Sequence, residues 1–192
     1  MKNLFLILLS VCFLSGCSKL SETENTTIPG FIKYTIVKGG HFADKNPAKK
    51  IETTSMKFLV KFDGSAEYTS LTTENQFDIN KLFGFSDNDS THHRYSARIG
   101  WRWSDGALRL FAYVYNSGTV ISKEITTVNI GEELDCSISV AGDTYHFKVN
   151  DHIEVLPRTA TTPSAKGYQL YPYFGGDEVA PHEIRIWIKE IL

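Results

Sequence analysis

Hydrophobic and polar residues alternate most regularly between Tyr95 and Asn116. The alternation is interrupted only at Ser104-Asp105-Gly106, a short run of turn-forming residues, so the pattern predicts a long β-hairpin. One face of the hairpin is fully apolar and suits a protein core. The opposite face carries arginine and aromatic side chains, namely Arg98, Arg102, Arg109, Phe111, Tyr113 and Tyr115.

Shorter alternating runs recur along the rest of the chain, separated by Gly, Asp, Asn and Pro. The predicted strands are Phe31–Val37, Met56–Phe62, Val120–Val128, Glu133–Val140, Thr144–Val149, His152–Leu156, Tyr168–Phe174 and His182–Ile191. Glu74–Phe85 is ambiguous between a helical turn and a strand, and His41–Thr54 is predicted to be a loop. No segment has a sustained helical period with caps. The chain is therefore predicted to be all-β, folded as an antiparallel β-sandwich of roughly ten strands.

The first seventeen residues differ from this pattern. Lys2 precedes an apolar run, Leu4–Leu14, that is too short to span a membrane and typical of a secretory signal peptide. It ends in Leu14-Ser15-Gly16-Cys17, which resembles a bacterial lipobox. We therefore expect a signal peptide over residues 1–16, a lipidated Cys17 with a flexible tether to residue 30, and one domain over 31–192. The expected location is the bacterial cell envelope, lipid-anchored at the outer membrane and facing the periplasm or the surface.

Composition narrows the classes of partner. A formal net charge of −2 over 192 residues provides no basic footprint for nucleic acid. If Cys12 leaves with the signal peptide and Cys17 carries lipid, Cys136 is the one remaining cysteine and no intramolecular disulfide forms. Its position in an alternating strand predicts a buried, inert thiol.

Three blocks carry a family resemblance: Ile79–Asp87, His92–Trp103 and Leu170–Ile188. Together they resemble a group of uncharacterised secreted lipoproteins that are similar to the concanavalin A-like jelly-roll superfamily. The resemblance implies two curved antiparallel sheets, with any ligand bound on the concave face. Because the superfamily contains lectins, glycoside hydrolases, polysaccharide lyases and structural modules, the fold does not select a function.

The sequence partly matches two catalytic motifs, and each match lacks a required element. Glu133, Asp135 and their strand resemble the acidic strand of a jelly-roll glycoside hydrolase family, but Ile138 stands where the general acid is required. Arg94–Arg98 and Phe111–Asn116 loosely resemble the arginine and tyrosine strands of alginate lyases. The Gln-x-His strand of those enzymes is absent, and their tyrosine strand lies later in the chain. We therefore assign no catalytic residue.

The remaining candidate site is a sugar-binding surface, because aromatic rings stack on pyranose faces while Arg and Gln bind hydroxyl groups. Its predicted residues are Arg98, Arg102, Arg109, Tyr113, Tyr115, Gln169, Tyr171 and Tyr173. The predicted function is a non-catalytic module that binds an oligosaccharide or polysaccharide, or another surface partner. The alternative is a polysaccharide lyase acting on a uronate-containing glycan. No cofactor is expected, apart from a candidate structural calcium at Asp177 and Glu178.

Overall fold

Residues 27–191 are described by a computed structural model, so the predicted signal peptide and Cys17 lie outside the described residues. This part of the chain forms twelve strands and two short 3-10 helices, Gly64–Ala66 and Glu74–Phe77. The strands are β1 (Ile32–Ile36), β2 (Lys50–Thr53), β3 (Ser55–Phe62), β4 (Asn80–Ser86), β5 (Tyr95–Ser104), β6 (Ala107–Asn116), β7 (Thr119–Val128), β8 (Leu134–Ala141), β9 (Thr144–Val149), β10 (His152–Pro157), β11 (Ala165–Leu170) and β12 (Ile184–Ile191). Within these residues, no helix has the length and apolar character needed to span a membrane.

The strands form two six-stranded antiparallel sheets. The first sheet has the order β1-β12-β3-β8-β9-β10, and the second has the order β2-β11-β4-β5-β6-β7. Half of the neighbouring strand pairs are distant in sequence, as expected for a sandwich whose chain crosses repeatedly between layers. The predicted antiparallel β-sandwich is confirmed.

The central hairpin forms as predicted. Ser104 pairs with Ala107, which leaves Asp105 and Gly106 as a two-residue turn. Both turn residues have positive φ angles, 54° and 70°, as a type I′ turn requires. This turn matches the right-handed twist of the flanking strands, and it sets the register of the whole β5–β6 pair.

The core lies between the two sheets and is built from the apolar face of each strand. Ala97, Ile99 and Trp101 of β5 are fully buried there. They meet the inner residues of the first sheet, and Phe62 lies 5.4 Å from Trp101 between ring centroids. Burying one such large side chain contributes about 1.5–3 kcal/mol, so the alternation detected in the sequence is also the main source of stability. Cys136 is fully buried in this core, and burial raises the pKa of its thiol.

Two segments depart from the predicted elements. The predicted loop His41–Thr54 contains β2, a short strand that pairs with β11 at one side of the second sheet. The predicted strand Tyr168–Phe174 instead begins at Ala165 and ends at Leu170. After Leu170 the chain leaves the regular ladder, and Tyr173 makes only isolated bridges to Phe42 and Lys81.

Candidate functional site

A cavity of about 480 Å³ opens on the outer face of the second sheet, the face directed away from the first sheet. This volume lies within the ~300–1,000 Å³ range of small-molecule sites. Four segments line it: the loop after β1, strands β4 to β6, the loop that joins β4 to β5, and the chain that follows β11. The lining residues are Phe42, Asn46, Lys81, His92, His93, Arg98, Tyr115, Leu170, Tyr171, Pro172, Tyr173, Gly175 and Gly176.

The floor of the cavity is set by cross-strand register. Leu170 pairs with Gly84, Gly84 with Arg98, and Arg98 with Tyr113, so these four residues form one row across β11, β4, β5 and β6. A Cβ atom at position 84 would lie 2.7 Å from Arg98 Cα and 2.9 Å from Arg98 Cγ, closer than side chains approach. Glycine at position 84 therefore leaves the space that the Arg98 stem occupies.

Arg98 is buried without a counter-ion. Only 6% of its surface is exposed, and its guanidinium carbon lies 5.9 Å from the centre of the Tyr113 ring. None of the ion pairs among residues 27–191 involves Arg98, and its Nε is buried there with no hydrogen-bond partner. Burial lowers the pKa of Arg98 to about 10, although neighbouring tyrosines act in the opposite direction. The side chain still carries its full charge at neutral pH.

Lys81 adds a second cation to the same cavity. Its Nζ donates a 3.2 Å hydrogen bond to the Gly175 carbonyl and lies 5.2 Å from the Tyr113 ring centre. Burial, and then the positive charge of Arg98, lower the pKa of Lys81 to about 8, while Asp78 acts in the opposite direction. Among residues 27–191, no carboxylate lines the cavity, so the charged groups of its lining are cations.

Two histidines form one wall. Their ring centres are 4.1 Å apart, and His93 meets Tyr115 edge-on at 5.6 Å. Burial lowers the pKa of His92 to about 4, with further lowering from Arg98 and His93. His92 is therefore neutral at physiological pH, which suits hydrogen bonding to a ligand better than charge pairing.

A buried ion pair anchors this wall. Asp87, fully buried at the start of the β4–β5 loop, accepts hydrogen bonds of 2.8 Å from Arg158 Nε and 2.6 Å from the Tyr145 hydroxyl. Burial alone would raise the pKa of Asp87, but these two donors lower it. At the other end of the loop, the Ser96 hydroxyl donates to the His92 carbonyl at 2.8 Å. The histidine wall is thus fixed at both ends.

Aromatic side chains complete the cavity. Tyr173 stacks on His41, with ring centroids 5.2 Å apart and an interplanar angle of 7°, and meets Phe42 edge-on at 5.0 Å. Tyr113 lies beside Tyr115 at 5.8 Å. Burial and the neighbouring Tyr115 hydroxyl raise the pKa of Tyr113, so it stays protonated.

Four of the predicted binding residues line the cavity, namely Arg98, Tyr115, Tyr171 and Tyr173, and the ring of Tyr113 lies beside Arg98 and Lys81. Arg102 and Arg109 share their sheet face but are not among the residues that line the cavity. Arg109 is paired with Glu124 at 3.0 Å and Asp105 at 3.3 Å. Arg102 lies over the Phe111 ring at 4.7 Å and donates to the Phe77 carbonyl.

Gln169 lies on the opposite, inner face of β11, and Tyr171, which directly follows β11, also turns its ring inward. Gln169 is only 4% exposed and donates to Glu190 of the first sheet at 2.9 Å. Tyr171 packs its ring against Tyr34 and Phe83 in the core. Neither side chain joins the tyrosine and arginine row, although Tyr171 borders the cavity.

The predicted calcium residues are placed differently from a metal site. The Glu178 carboxylate accepts hydrogen bonds from the backbone N–H groups of Leu71 and Thr72 and from the Asn75 amide, all within 3.0 Å. Within residues 27–191, no three His, Cys, Asp or Glu side chains are grouped so that they could hold a metal ion. Calcium at Asp177 and Glu178 stays a prediction, with Glu178 already engaged in holding a loop.

The strand that resembles a glycoside hydrolase motif lies on the other side of the molecule. It is β8, in the interior of the first sheet and not at an edge. Asp135 faces solvent and pairs with Lys148 at 3.2 Å, while Glu133 pairs with Lys61 at 3.1 Å. These acids are therefore separated from the cavity by the full thickness of the core.

Lys81, His92 and His93 are among the lining residues that were not part of the predicted binding surface. Lys81 is a single charge within the apolar run of β4, and that isolation was a usable signal. The two histidines lie in the loop between β4 and β5, outside the alternating strands. Their place in the cavity depends on a long-range ion pair that sequence spacing does not reveal.

Comparison with known proteins identifies relatives by fold only. No family model matches the chain, and no curated protein matches it. Among solved structures, the alginate lyase AlyC3 aligns with a TM-score of 0.54 and 8% identity over 84% of this chain and 74% of its own. The marine PL7 alginate lyase AlyA1 from Zobellia galactanivorans aligns with a TM-score of 0.52 and 11% identity, over 83% and 75%. A native glycosidic hydrolase aligns at 0.51 and 13%, over 86% and 78%. The predicted jelly-roll architecture is confirmed by these neighbours.

Proposed function

We propose that this protein is a non-catalytic glycan-binding module whose cavity accepts an acidic saccharide. The observation that carries the proposal is the burial of Arg98, charged and without a counter-ion, at the floor of a cavity that no carboxylate lines. A buried, unpaired charge is destabilising by several kcal/mol. A carboxylate ligand would remove that penalty on binding, because a guanidinium and a carboxylate form two parallel charge-assisted hydrogen bonds.

The other lining groups suit a sugar. Tyr115 and Tyr173 offer aromatic surface for a pyranose ring, and neutral His92 offers hydrogen bonds to hydroxyl groups. A structural neighbour supports the choice of acid: AlyC3 has been solved in complex with dimannuronate, and this structure aligns with a TM-score of 0.53 and 7% identity, over 84% of this chain and 73% of that one. We therefore propose a uronate as the preferred ligand, ahead of sulfated or neutral sugars.

Calorimetric titration of the full-length protein in detergent, with oligouronates and with neutral oligosaccharides of equal length, tests the proposal. We expect the acidic series to bind and Arg98→Met to weaken that binding by roughly tenfold or more, as for loss of a charge-assisted pair. Arg109→Gln is the matched control, since Arg109 lies on the same sheet face and is already paired with Glu124. Equal affinity for the neutral series, or unchanged binding by Arg98→Met, contradicts the proposal.

A lyase is the second candidate function, favoured by the position of His93 beside Tyr115 in the cavity that holds Arg98. β-Elimination from a uronate needs a cation at the carboxylate together with a base and an acid at the sugar ring. Arg98 is a suitable cation, and His93 and Tyr115 are residue types that can act as base and acid. Ultraviolet detection of the unsaturated product distinguishes the two functions: a binding module leaves the oligouronate intact, whereas a lyase consumes it and Tyr115→Phe or His93→Ala slows the reaction.

We further propose that the module is displayed in the cell envelope by lipid on Cys17, with residues 17–30 as its tether. The support is the sequence alone, through its lipobox-like Leu14-Ser15-Gly16-Cys17. Mass spectrometry of the protein expressed in a bacterium, compared with Cys17→Ala, tests this proposal. The expected result is a diacylglycerol-modified N-terminus and membrane fractionation that Cys17→Ala abolishes.

A further inference from the structure

A second cavity, of about 370 Å³, adjoins the first along the same sheet face. Strand β11 borders both: Leu170 lines the first cavity, while Lys166 and Tyr168 line the second. These residues alternate along one strand, so Tyr168 and Leu170 point to the same face about 7 Å apart. The β4–β5 loop also borders both, through His92 at the first cavity and Asp89 at the second. The two cavities are thus neighbours, with β11 and the β4–β5 loop contributing residues to both.

Tyr168 is the exposed aromatic residue of the second cavity. Its side chain is 46% exposed, beside its cross-strand neighbour Lys50. Its backbone is held rigidly, because its N–H donates to Ser86 Oγ at 2.8 Å. Preceding it, Gly167 packs so closely on Ser86 that a Cβ there would lie 2.6 Å from the Ser86 carbonyl oxygen. An exposed ring on a backbone held in this way is a surface on which a sugar can stack.

The charges of the two cavities differ. Lys50 and Lys166 in the second are balanced by Glu52 and Asp89, and Lys166 pairs with Asp89 at 3.3 Å. Such a mixed set hydrogen-bonds hydroxyl groups without selecting a charged one. The first cavity, by contrast, carries cations and no carboxylate. The first cavity therefore suits an acidic group of a ligand, and the neighbouring second cavity suits a sugar ring.

This proposal rests on the proposed function. We propose that the second cavity is a subsite for the next sugar residue of the same glycan, and that the ring of this sugar stacks on Tyr168. The ligand is then an oligosaccharide with a uronate in the first cavity and an acidic or neutral sugar in the second. Affinity depends on chain length as well as on charge.

A ladder of oligouronates from the monomer upward, titrated into the full-length protein, tests this proposal. We expect the affinity of the wild-type protein to rise with length and Tyr168→Ala to remove that rise, losing roughly tenfold for the longer members and nothing for the monomer. Tyr168→Phe keeps the ring and is the matched control, expected to preserve the ladder. Thermal melting of each variant confirms that the fold is retained.

The outcomes separate the two proposals. If Tyr168→Ala keeps the length dependence, or if the wild-type protein binds every length equally, the subsite is wrong while the acidic cavity stands. If the wild-type protein binds no member of the ladder, the proposed function fails and the subsite fails with it. Loss of binding at every length by Arg98→Met, beside a length-selective loss by Tyr168→Ala, is the result that supports both.

Discussion

Gly84 and Arg98 are cross-strand partners, and the arginine stem lies across the backbone of the glycine. A Cβ at position 84 would come within 2.9 Å of Arg98 Cγ. The same Cβ would clash even more closely with the Ala97 carbonyl oxygen, so the missing side chain lets β4 pack closely on β5 beside the Arg98 stem.

Gly84→Ala should move Arg98 and damage the site without altering its chemistry. We expect weaker oligouronate binding and a loss of about 1–3 kcal/mol in the free energy of unfolding, typical of overpacking. Gly64→Ala is the control, since a Cβ there meets no atom within 4 Å and should change neither quantity. Calorimetry and urea denaturation measure both. Full affinity in Gly84→Ala would show that Arg98 does not depend on this contact.

Arg98 and Arg158 are both buried, yet their removal should have opposite effects on stability. Arg158→Met leaves Asp87 buried without its partner, so we expect a loss of about 3–5 kcal/mol. Arg98→Met removes a cation that has no counter-ion and should leave stability unchanged or raise it, while weakening ligand affinity by roughly tenfold or more. Urea denaturation of the two variants is the measurement. A large destabilisation by Arg98→Met would reveal a compensating interaction of its guanidinium.

Ligand affinity should fall as the pH rises through the pKa of Lys81, about 8, because the cavity then loses one of its two cations. Stability should move in the other direction. The unfolded chain retains the ordinary lysine pKa of 10.5 and binds more protons above pH 8, so the folded state gains stability between about 8 and 10.5.

Titrations across this pH interval, with wild-type protein and with Lys81→Met, check both effects. The variant should bind more weakly and without the pH-dependent decline. Lys123→Met, which alters an exposed lysine paired with Glu154, should behave as wild type. A decline that persists in Lys81→Met would assign the titration to a different group.

Glu133→Gln and Asp135→Asn should leave glycan binding unchanged within about twofold, because β8 belongs to the sheet opposite the cavity. Each change removes one exposed ion pair, which is worth at most about 1 kcal/mol of stability. Calorimetric titration with the oligouronate used above is sufficient. Impaired binding in either variant would relocate the site to the first sheet.

The sequence was informative where the alternation is long and was misleading where the chain leaves the ladder. Over β5 and β6, ten residues each, the period of two identified the faces of Arg98 and Tyr113 correctly. At β11 the predicted strand started three residues late and continued past Leu170. Continuing the alternation past Leu170 placed Gln169 and Tyr171 on the same outer face as Tyr173. In the structure the chain is irregular after Leu170, and a shift of one residue exchanges the faces of a strand.

Other features of the cavity depend on distances that a local pattern does not encode. Lys81 lies near Arg98 because β4 pairs with β5. The histidines reach the same cavity because Asp87 binds Arg158, which lies seventy-one positions later in the chain. Tyr168 was included in a strand but not recognised as a binding residue, because its exposure depends on pairing with the unpredicted β2.

The floor and the wall of the cavity are held by separate means, since strand register positions Arg98 whereas the Asp87–Arg158 pair positions the histidines. The charge at the floor of the cavity and the shape of its wall can therefore change independently during evolution. Insertions or replacements between Asn88 and Arg94 would reshape the rim of the cavity while leaving Arg98 in place at its floor. A single scaffold of this kind can supply a set of receptors that share one anchoring group and differ in the chain each retains.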